Sequence, residues 1–118
     1  MSTKEKARGW LNNIFHSEVR SSKYYPEKDI WFFTFPIRFC EKGNNGYADI
    51  LLQDKENLEE FIYLRVPFSF FRENREKLDM RSDEDFFDFH ISAKPENWLE
   101  CERSRGVSFK QFLQKTLT

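Results

Sequence analysis

The chain has four glycines, four prolines, two cysteines and two histidines in 118 residues, and almost no net charge. Each shortage removes a class of protein. Gly9, Gly43, Gly46 and Gly106 are scattered and none precedes a Lys-Ser or Lys-Thr pair, so the backbone-amide cradle of a phosphate-binding loop is missing. No G-x-S-x-G elbow occurs to expose a nucleophilic serine. Cys40 and Cys101 lie far apart and outside any Cys-x-x-Cys or Cys/His array, which argues against a disulfide framework or a structural zinc and for a reducing compartment. Neither cysteine has a local partner to hold it as a thiolate, so both read as small packing residues. No window approaches the ~20 apolar residues of a membrane span, and the charged first residues have no apolar segment behind them. A soluble cytoplasmic protein with no membrane partner is expected. Nineteen basic against twenty acidic residues give a charge of -1, so nothing pulls the chain as a whole toward nucleic acid or anionic lipid.

Phenylalanine is what the chain has in plenty. Fourteen of them, most in the runs Trp31-Phe32-Phe33-Thr34-Phe35, Phe61-Ile62-Tyr63, Phe68-Ser69-Phe70-Phe71 and Phe86-Phe87-Asp88-Phe89, mark strands and core. Charged residues make up 33% of the chain, above the usual ~25%, so an aromatic core under a charged skin is expected. A single domain of this length buries roughly 65% of the surface its unfolded chain exposes and needs no covalent staple.

Ala7, Trp10, Leu11, Ile14 and Phe15 recur at three and four residues and predict an N-terminal helix whose stripe packs on the sheet, with Ser2 and Glu5 as a capping box. Residues 17–29 are polar and contain Tyr25-Pro26, which predicts a loop. Residues 30–40 read as a strand with Trp31, Phe33, Phe35, Ile37 and Phe39 on one face, and Pro36 puts it at a sheet edge or a bulge. An Asn-Gly turn and a returning strand, Tyr47–Gln53, would complete a hairpin. Residues 60–68 read as a third strand of a sequential antiparallel meander, 69–78 as a short helix, 79–85 as a charged turn, and Phe86–Ser92 as a fourth strand. Pro95 opens a predicted helix over 96–105 stopped by Gly106, and Ser108 with Gln111 is a further capping box, with Val107 against Phe112 as its staple. The expected fold class is α+β: one domain, mainly an antiparallel sheet of about four strands covered by N- and C-terminal helices.

Chemistry-bearing residues fall into two groups. By strand alternation, Asp88 and His90 share the polar face of the fourth strand, while Asp49 and Arg65 lie on earlier strands. Were register to bring these four together, they would be the catalytic candidates, His90 as a base oriented by Asp88. A solvated sheet face is the plainer explanation, since nothing in the spacing demands chemistry. Asp49 with Glu59-Glu60 loosely suggests a metal-dependent nuclease, yet Phe61 and Ile62 stand where the i+2 lysine belongs. A two-histidine ribonuclease would need both His16 and His90, but His16 sits where a cation complements a helix dipole. Basic residues cluster at Arg20 with Lys23, at Arg72 with Arg75 and Lys77, and at Arg103 with Arg105 and Lys110, all beside acidic neighbours. With Tyr24, Tyr25, Phe70 and Phe71 interleaved, they could stack on bases and pair with phosphates. The acidic run around Asp83-Glu84-Asp85 lacks the spacing and glycine of a calcium hand.

The resulting expectation is a small non-catalytic binding module for another protein or for self-association, with neither cofactor nor metal. Its contact surface would be edge strand 30–40 or the aromatics and arginines Tyr24, Tyr25, Phe70, Phe71, Arg72 and Arg75. The alternative is a domain that binds or processes nucleic acid.

Overall fold

Strand alternation builds two sheets rather than one. The structure, a computed structural model, describes residues 17–41, 45–79, 85–103 and 106–114. Strands β1 (Ser17–Ser22), β4 (Tyr47–Gln53) and β5 (Phe61–Pro67) form the first sheet in the order β1-β4-β5, with β1 parallel to β4 and β5 antiparallel to it. The second sheet is wholly antiparallel and comprises β2 (Tyr24–Tyr25), β3 (Ile30–Pro36) and β6 (Phe86–Ser92), with β3 at its centre. One α-helix, α1 (Phe68–Glu73), and 3-10 turns at Ile37–Cys40, Arg75–Lys77, Pro95–Asn97 and Lys110–Phe112 complete the described elements.

Only Lys23 separates β1 from β2, so one nearly continuous segment pairs with the first sheet and then with the second, the way corners of packed sheets are made. Side chains close this seam. The Phe32 amide donates to Ser22 Oγ at 2.9 Å, the Tyr24 amide to Gln53 Oε1 at 2.9 Å, and the Trp31 indole to the Gln53 carbonyl at 2.7 Å.

Between the sheets lies one cluster. Trp31, Phe33 and Phe35 of β3 and Phe87, Phe89 and Ile91 of β6 meet Ala48, Ile50 and Leu52 of β4 and Ile62, Leu64 and Val66 of β5. The radius of gyration, 13.6 Å, is that of one compact domain, about 13–14 Å at this length. Pro67, with extended backbone, ends β5 and leads into α1, whose Phe68 and Phe71 drop into the core; Phe71 stacks on Phe35 with centroids 4.1 Å apart. Among the described residues no helix is long and apolar enough to cross a membrane.

Several expectations are corrected. Residues 17–29 are not a loop: β1 and β2 form because β4 and β3 supply ladder partners, which overrides a polar local sequence. The bend is confined to 26–29 and ends at Asp29 with φ 54°. The strand read over 30–40 stops at Pro36 and continues as a 3-10 turn, since proline fixes φ and cannot donate to a ladder. It is the central strand of its sheet at Ile30 and Trp31, where β2 and β6 flank it, whereas Phe32–Pro36 pair with β6 alone among the described strands. The hairpin of β3 with β4 does not exist, because each brings its apolar face to the shared core from a different sheet. Adjacent β4 and β5 do pair antiparallel.

The expected helix over 96–105 is a 3-10 turn at Pro95–Asn97, after which Leu99 takes φ 65° and the chain bridges Ile91 to Cys101 and Glu100 to Ser108. Burial of the Leu99 side chain and these bridges outweigh local helix chemistry. Likewise Ser108 Oγ accepts from the Lys110 amide at 3.2 Å, an ST turn rather than a capping box, and only the turn Lys110–Phe112 follows. The described part therefore has no covering C-terminal helix. The N-terminal helix stripe and most of the charged turn 79–85 lie outside the described residues.

Gly46 provides a test of the packing of α1. Its φ is +151°, and a Cβ there would sit 2.9 Å from the ring of buried Phe68, whose amide donates to the Gly46 carbonyl. Gly46→Ala is expected to cost about 1–3 kcal/mol in urea unfolding, since the ring is core and cannot swing aside. A neutral result would show that Phe68 is loosely held.

Candidate functional site

Strand pairing splits the four catalytic candidates. Asp49 faces Arg65 across β4 and β5, whereas Phe32 faces His90 and Thr34 faces Asp88 across β3 and β6. Both pairs point away from the common core, so they lie on opposite outer faces and cannot act on one substrate atom.

On the first sheet, Asp49 is fully buried and accepts from the Tyr63 hydroxyl and from Arg65 Nη1, at 3.1 and 3.4 Å to its two oxygens. The Arg65 guanidinium also lies 4.4 Å from the centre of the Tyr47 ring. Burial first, and then the Asp49 hydrogen bond, raise the Tyr63 phenol above its ordinary value. Beside this group, Leu51, Phe61 and Tyr63 form a second small apolar cluster. Register and charge pairing are the evident work of the trio.

The second sheet carries the recess. The tight bend after β2 brings Glu27 and Lys28 beside Ile30, and Tyr25 pairs with Ile30. Together with Phe32 and His90 they line a cleft of about 530 Å³, a volume suited to one side chain or a small ligand. The Phe32 and His90 rings meet at 4.9 Å, tilted by 51°. His90 Nδ1 is buried with no hydrogen-bond partner among the described residues. Burial, then the Arg103 and Lys28 charges, push the imidazole below its ordinary value of 6.5, against the opposing pull of Asp79 and Asp88. His90 is therefore neutral at pH 7 and its ring lacks a carboxylate hydrogen bond to orient it among the described residues. Its ring, packed against Phe32, gives the cleft an apolar wall with a polar edge.

A stability change follows from this shift. In the unfolded chain the imidazole titrates near 6.5, and in the folded chain lower. Above 6.5 neither state is protonated. Below it the unfolded chain binds the proton first, so stability is lost as pH falls through the folded value. Unfolding curves at pH 7.5 and 5.5 are expected to differ less for His90→Gln than for wild type. Identical differences would show that His90 titrates alike in both states.

Of the six individually expected aromatics and arginines, Tyr25 alone lines this cleft, where it is joined by Ile30 and Phe32 of the strand expected as a contact surface. Tyr24 donates to Asp29 at 2.5 Å and sits edge-on to Trp31, and the Asp29 hydrogen bond, followed by burial, pushes its phenol up to about 12. Phe71 is fully buried and so cannot be a contact residue. Phe70 packs on Phe109 and Phe112. Arg72 donates to the Cys40 and Glu41 carbonyls and so ties α1 to the preceding turn, while Arg75 is exposed on its own 3-10 turn. Cys40 and Cys101 are free, and burial raises both thiols, Cys101 to about 12. Among the described residues no group of three or more His, Cys, Asp or Glu is placed to hold a metal ion.

No family model, curated protein or solved structure matches this chain. Neither Glu27 nor Lys28 is singled out by the sequence, and Ile30 and Phe32 enter the expectation only as members of strand 30–40. The signal was present: Phe32 is an aromatic residue on the strand face opposite Trp31, Phe33 and Phe35, and the core has no use for it.

Proposed function

We propose that this chain is a small non-catalytic binding module for another protein, and that the cleft of Tyr25, Phe32 and His90 receives an apolar side chain of that partner. The observation that carries the reading is the cleft itself: aromatic and aliphatic walls, a neutral imidazole, and the opposite charges of Glu27 and Lys28 at the mouth. Apolar anchors inside a polar rim are how protein partners are held. A reducing, cytoplasmic setting accompanies the proposal and is supported by the free cysteines.

The test uses side-chain mimics. Titrating p-cresol and 3-methylindole into labelled protein is expected to shift the amide signals of Tyr25, Phe32 and His90 saturably, and Phe32→Ala to weaken that binding about tenfold or more. Shifts scattered over the surface, or none, would end this assignment. An oligonucleotide that binds below micromolar concentration and is lost with Arg75→Ala would favour a nucleic-acid partner instead.

A further inference from the structure

A second cavity, of about 320 Å³, opens where the two sheets, the loop after β4 and the C-terminal segment meet. Its apolar lining is Trp31, Ile62, Trp98 and Leu113, and its polar lining includes Asp54 and Glu56. Trp31 is fully buried and Ile62 nearly so, which makes them its deeper lining, while Trp98 is half-buried. The C-terminal lining is fixed in place: Leu113 bridges to Leu64, and the Gln114 amide donates to the Tyr63 carbonyl at 2.9 Å.

Charge decides what such a cavity accepts. Lys55 also lines it, but its ammonium is held by the Ala93 carbonyl at 2.7 Å and by Asp29 at 3.4 Å, so a counter-charge already offsets it. Asp54 and Glu56 have no ion-pair partner among the described residues; Asp54 Oδ1 accepts only the Glu56 amide, at 2.8 Å. The cavity thus combines indole surface with two carboxylates that form no ion pair among the described residues. Indole faces attract cations through the ring quadrupole, most strongly where water is excluded, and quaternary ammonium groups are the ligands for which that attraction costs least in lost hydration.

We infer that this cavity is a binding site for a small organic cation of the quaternary ammonium class. It is independent of the protein-binding cleft, with which it shares no lining residue. The ammonium would lie against Trp98, with Asp54 and Glu56 supplying the countercharge. The volume stands at the small end of ligand pockets, so the site takes a head group and a short tail rather than a large ligand.

The experiment compares choline with 3,3-dimethylbutan-1-ol, its uncharged carbon isostere, each titrated at constant ionic strength while the indole N–H signals are followed by NMR. Choline is expected to move the Trp98 and Trp31 signals saturably and to bind about tenfold tighter than the isostere. Asp54→Asn combined with Glu56→Gln retains the Oδ1 acceptor and the side-chain volumes, and is expected to remove that preference. Trp98→Leu, checked for an intact fold by the remaining amide spectrum, is expected to weaken choline binding to the same degree. A trimethyllysine peptide distinguishes the source of the head group: tighter binding than choline assigns a protein-borne head, weaker binding a free one. Equal binding of choline and the isostere, an unaffected double variant, or no saturable shift at 50-fold excess over protein in the millimolar range would overturn the proposal.

Discussion

Arg65→Ala is expected to destabilise the protein by about 3–5 kcal/mol, more than Asp49→Ala, although the two residues form one ion pair. The asymmetry follows from burial. Asp49 is fully buried, whereas the Arg65 side chain keeps 31% of its surface exposed. Removing the arginine strands a carboxylate in the protein with the Tyr63 hydroxyl as its remaining hydrogen-bond donor among the described residues, and a buried unpaired charge is among the most costly defects a fold can carry. Removing the aspartate leaves a guanidinium that can turn to water and a hydroxyl that loses its acceptor, a loss of about 1–3 kcal/mol. The double variant is expected to be more stable than Arg65→Ala alone, because the stranded charge is gone. Urea unfolding of the four proteins forms a complete cycle, and it fails the argument if Arg65→Ala costs less than Asp49→Ala.

Phe71→Ala is expected to cost about 3–5 kcal/mol and to lower Tm by roughly 10–20 °C. Phe71 is the fully buried member of α1 and joins two strands of the second sheet to the C-terminal segment: it stacks on Phe35 of β3 at 4.1 Å and meets Phe89 of β6 at 5.6 Å and Phe109 at 6.2 Å. Its removal leaves a cavity bounded by rings from three elements that cannot all collapse inward. Phe32→Ala, at a half-buried position of the cleft, should cost far less while it weakens the binding of side-chain mimics about tenfold or more. A loss below about 1 kcal/mol for Phe71→Ala would mean that α1 is an appendage to the core.

Much of the sheet was legible because its strands are apolar on alternate residues. Tyr47–Gln53 and Phe86–Ser92 fall where alternation places them, and Trp31, Phe33 and Phe35 share the buried face as their spacing requires. The segment Ser17–Ser22 was invisible for the opposite reason: its sequence is polar, and its strand exists through pairing with β4, which lies far along the chain. The division into two sheets was hidden likewise, since alternation tells which face is buried but not against which partner. At the C-terminus, Ser108 and Gln111 show the limit of local capping chemistry once bridges at Ile91, Glu100 and Leu64 draw the chain into extended paths. For the candidate site, His90 and Tyr25 were marked by residue type, and Asp49 with Arg65 by strand position. What joined His90 to Phe32 was a register set by the whole fold.

The segment that passes from β1 into β2 sets a timetable for folding. Its first part needs β4 in place and its last part needs β3, while β3 itself waits for β6, which arrives after both strands of the β4–β5 pair have been threaded. Neither sheet is assembled from neighbours in the chain alone, so entropy is spent on closing long loops before most of the contacts that reward it can form. Refolding is expected in the millisecond-to-second range, slower than for a helical domain of equal size, and as one event, because the two sheets share the β1–β2 segment and bury their apolar faces in one core.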